Sequence, residues 1–338
     1  MSETHVPLSI LDLVPVSEGM SVSTALDESV ALARLADTLG YRRYWYAEHH
    51  NVPTFASSAT SLLIGRAAEN TARIRLGSGG VMLPNHSPLM VAEYYGTLAE
   101  MYGDRIDLGL GRAPGTDPRT AAALRRGTAA ADTFVEDVVE LQHHLGEGTG
   151  QITAMPGQGT NVPLWILGSS LDGATVAAAL GLPYVFASHF APAARHAAIR
   201  RYRESFSTDY VTAEIDAPYV MAGVNVLVAP TDEEARRLFT TAGQLAAGIA
   251  TGRRAPLAPP VDDLGAVIGP DALTFVEDFQ QVKAVGSPKT VVARVEEIVA
   301  DLGVDELIIA TYTFDPALRA RSFDLLAEAW GLDRAGVG

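Results

Sequence analysis

The sequence predicts a (β/α)8 TIM barrel with an insertion before the last βα unit. Three observations predict it. Short apolar strand patterns alternate with helical ones eight times along the chain. No second composition regime interrupts them, so the 338 residues read as one domain, 1–338. Strand after strand runs into glycine, hydroxyl or histidine residues, and barrel active sites collect at the carboxyl ends of strands.

The elements follow in order. Leu8 to Val14 is a first strand, and a helix capped by Ser23 or Thr24 closes at Gly40. Arg43 to Ala47 is a second strand ending in Glu48-His49-His50, with its helix over Ala59 to Asn70. Arg73 to Met82 is a third strand that dissolves into Gly77-Ser78-Gly79-Gly80. Pro88 suits the first turn of the next helix, which Met90, Val91, Tyr94, Leu98 and Met101 extend until Gly103. Ile106, Leu108 and Leu110 form a fourth strand ending in Gly111-Arg112. Helical pieces follow near Pro118–Arg126 and Ala131–Leu145.

Pro163 to Leu167 is a fifth strand, turning at Gly168-Ser169-Ser170 into a helix from Asp172 to Leu180. Tyr184 to Ser188 and Tyr219 to Val228 are the sixth and seventh strands, with helices over Pro192–Phe206 and Thr231–Gly248. Leu307 to Thr313 is the eighth, before a last helix from Pro316 to Trp330. One stretch breaks the alternation. Residues 251–285 are rich in Gly, Pro and Asp, and read as a lid over the barrel mouth with Phe275, Phe279 and Lys283 as contacts, or as an extra helix packed outside.

Bulk composition excludes several functions. A formal charge of −15 repels nucleic acid and anionic membranes. The chain has no cysteine, which removes disulfides, thiolate nucleophiles, Fe–S clusters and cysteine zinc sites. No run of 18 apolar residues reads as a membrane span, and the N-terminus lacks a secretory pattern. A cytoplasmic protein is expected.

The strand ends place the chemistry. Ser78, Gly79 and Gly80 with Gly111 leave bare backbone on neighbouring strands, a floor for a large flat molecule. Gly168, Ser169 and Ser170 sit where a strand turns into a helix, either as a plain cap or as an anion site onto which Arg112 could fork. His49 reads as a hydrogen-bonding or proton-transferring group, or as a structural histidine bonded to backbone. His86 and His189 are weaker candidates of the same kind. No H-E-x-x-H occurs, His143-His144 reads as a solvated helix face, and no metal site is assigned. Gly109-x-Gly111 with Gly115 is a poor dinucleotide loop, and no G-x-S-x-G elbow exists.

Four motifs occur in register: W-Y-A-E-H-H (45–50), G-S-G-G-V-M-L-P-N-H-S-P (77–88), R-I-D-L-G-L-G-R-A-P-G-T-D (105–117) and W-I-L-G-S-S (165–170). Together they resemble the bacterial-luciferase-like flavin monooxygenases, particularly the single-chain members. The resemblance implies reduced FMN (FMNH2), supplied by a separate NAD(P)H-dependent flavin reductase. It further implies reaction with O2 through a C4a-(hydro)peroxyflavin to oxidise a small organic substrate. On that resemblance His49 is the catalytic histidine, Gly79-Gly80 the non-prolyl cis peptide beneath the flavin, and Arg112, Ser169 and Ser170 the phosphate ligands. Arg125 or Arg126 would be a second phosphate arginine. Gly111 stands where luciferase-type subunits often have a reactive cysteine, and Ser169 where they have an acid. Both departures speak against light emission with a long-chain aldehyde and leave FMN binding intact.

Two other readings compete. One is an F420-dependent oxidoreductase of the same barrel; the other is a flavin-binding protein without turnover. Leu11, Phe55 and Phe190 are expected on the substrate wall. A homodimer is expected through Leu62, Leu63, Met90, Tyr94 and Tyr95.

Overall fold

Period-two patterning sorts each strand into a face toward the barrel axis and a face toward the helices. In the computed structural model, which describes residues 5–113, 116–124, 133–148 and 150–334, this sorting closes a parallel barrel. Gly115, Arg125, Arg126 and the predicted helix start at Ala131 lie outside the described residues.

The first half runs β1 (Leu8–Asp12), α1 (Val22–Leu39), β2 (Arg43–Tyr46), α2 (Thr60–Glu69), β3 (Arg75–Met82) and α3 (Pro88–Tyr102). It continues through β4 (Ile106–Gly111), α4 (Pro118–Ala123), α5 (Phe134–Leu145), β5 (Leu164–Gly168) and α6 (Leu171–Ala179). The second half runs β6 (Tyr184–Phe186), α7 (Arg195–Ser205), β7 (Val220–Val228) and α8 (Asp232–Thr251). Then come α9 (Leu264–Ile268), α10 (Pro270–Phe279), β8 (Lys283–Gly286), α11 (Pro288–Leu302), β9 (Glu306–Ala310) and α12 (Pro316–Trp330). Strands β1 to β7 follow one another around the barrel, and β9 lies between β7 and β1 to close it, every pair parallel. The predicted eight-stranded barrel is therefore observed.

The segment 251–285 departs from a plain insertion. It holds α9 and α10, and its end is β8, which pairs with the last residues of β7. Asn225 faces Lys283 on one edge and Ala310 on the other, so β8 takes up the edge that β6 occupies lower down. The reason is length: β7 has nine residues and β6 three, which leaves backbone that needs a partner. Lys283 accordingly lies in a strand, its ammonium 5.8 Å from the Phe239 ring centre, and does not line the barrel mouth. The start of the segment is pinned down. Leu257 N donates to Val16 O (2.8 Å), Glu18 N to Leu257 O (2.9 Å) and Thr54 Oγ1 to Ala255 O (2.5 Å).

Local signals mostly hold. The cap of α1 is Ser21 rather than Ser23 or Thr24, its Oγ accepting from Thr24 N at 3.1 Å, and Gly40 closes the helix at φ 86°. His144, expected on a solvated face, is buried and bonded to Glu140. Leu62 is 75% exposed and Met90 and Tyr94 are exposed, whereas Tyr95 is buried and Leu63 packs against the core. No helix among the described residues is long and apolar enough to cross a membrane.

The barrel axis is filled in layers. Leu11, Trp45, Trp165, Met221 and Ile308 form the middle layer. Below it, at the amino ends of the strands, Arg43 bonds Asp107 Oδ2 (2.6 Å) and Glu306 Oε1 (3.1 Å), and Arg75 bonds Asp107 Oδ1 (2.6 Å). Trp45 Nε1 donates to Asp107 (3.1 Å), and Tyr219 Oη donates to Glu306 (2.8 Å), which also accepts from Ser9 Oγ. Above the middle layer the axis opens.

Candidate active site

The opening is a cavity of about 830 Å³ at the carboxyl ends of the strands, the size of a cofactor site. Its floor is bare backbone. The β3–β4 register shifts between Ser78 and Val81, so β3 carries one extra residue, and the Gly79-Gly80 peptide within that bulge is cis, as the resemblance implied. Backbone approach excludes a side chain at Gly80, and at Gly79 one would have to displace the end of Leu11. A Cβ on Gly79 would stand 2.6 Å from Leu11 Cδ1, and one on Gly80 2.7 Å from Gly109 O. Gly79, Gly80 and Gly111 line the cavity. Ser78 does not: it is fully buried, and its Oγ donates to Gly109 O at 2.8 Å.

His49 stands over this floor just past β2. The loop is held from both sides. Asn51, in the left-handed region at φ 53°, reaches Asp117 (3.2 Å) and Thr120 (3.0 Å) of the α4 cap, and Arg254 reaches Asn51 O (3.3 Å). From beneath, buried Glu48 accepts from His50 Nε2 (2.7 Å), His86 Nε2 (2.9 Å) and Met82 N (3.2 Å). Burial pushes the Glu48 carboxyl upward, yet bonds from the two histidines outweigh it and hold the group at about 2. Glu48, His50 and His86 bring one ligand atom each within 4.8 Å of one another. Their mutual hydrogen bonds already employ all three, so the cluster braces the loop that carries His49.

That leaves His49 unusual. Its Nδ1 is buried with no hydrogen-bond partner, and the ring packs 5.4 Å from Phe55. Burial lowers its pKa to about 4 against the opposing pull of Glu48, so the ring is neutral near pH 7. The backbone-bonded structural histidine considered from sequence is not what the fold builds. Nδ1 is sealed away from the cavity, so this neutral imidazole is left to meet a ligand through Nε2.

The far end of the cavity is lined by Gly168, Ser169 and Ser170, which lead into the amino end of α6. Ser170 is the N-cap residue, as the cap reading expected, although its side chain makes no cap bond. The helix amino end supplies N–H donors and a partial positive charge. Arg112 crosses to this end and bonds Asp172 Oδ2 in the first turn of α6 at 2.8 Å. Arg112 and the Gly-Ser-Ser turn thus converge as expected, with an acid between them that sequence spacing did not reveal.

The sequence profile of the family described as luciferase-like monooxygenase matches residues 6–306. The chain belongs to the luciferase-like monooxygenase family. It is 42% identical over 328 residues to the luciferase-like monooxygenase of Escherichia coli K12, covering 96% of this chain and 97% of that one. It is 38% identical over 187 residues to the N-acetyl-S-alkylcysteine monooxygenase of Bacillus subtilis, 53% of this chain and 56% of that protein. The solved structure of apo-MsnO8 superposes with a TM-score of 0.89 at 37% identity, covering 98% of this chain and all of the other.

In this family member the remaining cavity wall is mostly apolar. Leu11, Phe55 and Phe190 line it as expected, joined by Leu13, Met82, Ile308 and Tyr312. Phe279 lines it from α10, with Phe275 stacked behind at 5.4 Å. Sequence reading gave little weight to His189 and none to Asn225, both of which line the cavity. His189 followed a strand end like His49, and that was the available signal.

Proposed function

We propose that this chain is an FMNH2-dependent monooxygenase that uses O2 to oxidise a small organic substrate, with reduced flavin arriving from a separate NAD(P)H-dependent reductase. The observation that carries the reading is a neutral His49 beside a glycine floor, its Nδ1 sealed so that Nε2 is left for a ligand, on a largely apolar cavity that ends at a helix amino terminus. The residues present fit reduced FMN. Gly79, Gly80 and Gly111 would underlie the flat ring, and Ser169, Ser170 and Arg112 would hold the phosphate. Bound reduced flavin supplies the electrons that activate O2.

The chain's own part is positioning and exclusion of water. His49 would hold a hydrogen bond or a proton at Nε2, and Phe55 and the Glu48 cluster keep the ring in place. Residues 251–285 form a wall rather than a loose flap, since α10 lines the cavity and the segment before α9 is bonded to the loops after β1 and β2. The exposed apolar face of Leu62, Met90 and Tyr94 suits a second copy of the chain.

Anaerobic calorimetric titration with reduced FMN, and separately with F420, tests the reading. One reduced FMN per chain, bound much more tightly than F420, is expected. Binding of F420 alone replaces the reading with an F420-dependent oxidoreductase. Binding of reduced FMN with oxygen consumption and peroxide yield no different from those of a flavin reductase and free FMN alone replaces it with a flavin carrier.

A further inference from the structure

Among the polar side chains that line the cavity away from the flavin floor, Asn225 and Gln280 donate to the backbone carbonyls of His189 and Ala242, and one imidazole has no such bond. It is His189, just past β6. Two side-chain bonds tie this turn to β7: Ser188 Oγ donates to Gly223 O and Asn225 Nδ2 to His189 O, each at 2.6 Å. The imidazole lies against Gly223, where any Cβ would overlap it, and Phe190 meets its face edge-on at 4.9 Å. The residue is 9% exposed, its Nδ1 is sealed without a partner, and neither ring nitrogen is hydrogen-bonded among the described residues. Nε2 is left to face the cavity.

The surroundings narrow what Nε2 meets. Burial, with His49 adding to it, lowers the ring to about 4, so it is neutral and offers a hydrogen bond but no charge. The wall beyond is mostly hydrocarbon: Ala242, Leu245, Ala246 and Ile249 from α8 and Phe279 from α10, with the Gln280 amide donating to Ala242 O at 3.1 Å. The charged side chains that line the cavity among the described residues are Glu48, Arg112 and Asp172. Glu48 is engaged by His50 and His86, and the other two lie at the α6 end. A carboxylate or sulfonate brought beside His189 would be desolvated without a counter-charge, which is strongly unfavourable.

We infer that His189 selects the substrate: it hydrogen-bonds the single uncharged polar group of an otherwise apolar molecule whose hydrocarbon part lies between α8 and α10. This rests on the oxygenase reading only for the fate of that molecule; its binding is a property of the protein alone. A buried group built to bond a polar partner discriminates against analogues that lack one or that carry charge. Gly223 and Asn225 are positioning residues for the imidazole.

The test is equilibrium binding to the full chain, read by fluorescence of Trp45 and Trp165, which pack beneath the cavity in the barrel interior. The probes are octan-2-one, octane and octanoate at neutral pH. Octan-2-one is expected to bind at least about tenfold more tightly than octane or octanoate, the scale of one well-made hydrogen bond. His189→Leu should erase the advantage over octane and leave octane affinity unchanged, while His189→Gln should restore part of it. Gly223→Ala, which displaces the ring without removing it, should behave like His189→Leu. Equal binding of octanoate and octan-2-one, or an unchanged ketone-to-alkane ratio in His189→Leu, would overturn the inference. Reduced FMN titrated into the same proteins keeps the two readings apart, because the ratio is defined whether or not flavin binds.

Discussion

The two ends of this barrel are built on opposite rules. At the amino end, five buried or half-buried polar and charged groups from five strands saturate one another: Arg43, Arg75, Asp107 and Glu306, with Ser9 closing the set. At the carboxyl end, His49 and His189 keep buried ring nitrogens without any partner. Buried polar groups are nearly always hydrogen-bonded, so a pair of exceptions on one cavity is informative. The amino end is finished by folding. The carboxyl end is left open as a cavity, with each of these rings turned to it through Nε2.

Breaking the saturated end should have the largest effect. Removing Arg43 leaves Asp107 and Glu306 as buried charges short of a partner, and Arg43→Ala is expected to lose about 3–5 kcal/mol of stability by urea unfolding. The same measurement on His49→Ala should show no such loss. Equal destabilisation of the two variants would erase the contrast between the ends.

Acid sharpens the contrast from the other side. His49 and His189 are held near 4 in the fold, against about 6.5 in the unfolded chain. Between those values the unfolded chain takes up protons that the folded chain refuses, so stability falls as pH drops from about 6.5 to 4. Each buried histidine should contribute on the order of 2 kcal/mol of that loss by pH 4.5. His189→Leu should flatten the profile by its share. Burial holds Glu214 up at about 7 despite bonds from Leu164 N and Gln142, and it acts oppositely, losing its contribution as pH rises through 7. Subtracting the variant from wild type cancels that contribution. An unchanged slope in His189→Leu would show that the ring is not held neutral. In turnover, the acid limb should lie near pH 4, with no break near 6.5.

The smallest expected effect concerns Arg112. Asp172 now occupies it at 2.8 Å on an exposed surface, where ion pairs are worth little. Asp172→Asn should tighten binding of reduced FMN a few-fold, more at low salt, and leave riboflavin unaffected. An equal change for both ligands would place the phosphate elsewhere.

The same contrast explains what was legible in the sequence. Caps, glycine stops and alternating strands are local signals, so the barrel, the glycine floor, His49 and the Gly-Ser-Ser turn could be read before folding. The amino-end network could not, because Arg43, Asp107 and Glu306 come from strands far apart in the chain and look like ordinary surface charges. β8 was hidden for a different reason. Lys283-Ala-Val-Gly286 is too short to show a period, and only the excess length of β7 gives it a partner. His189 gains its meaning from Gly223, a residue that reads as nothing more than a break in a strand.

The measurement that tests the account most directly compares wild type with His49→Ala at equal occupancy by reduced FMN. Each is mixed with O2, and the rate at which hydrogen peroxide appears is followed. Wild type is expected to release it about a hundredfold more slowly than His49→Ala, the low end of what a positioned proton-handling group contributes. Peroxide release at the same rate from both proteins, with flavin binding intact, would contradict the assignment of the carboxyl end as the oxygen-handling site.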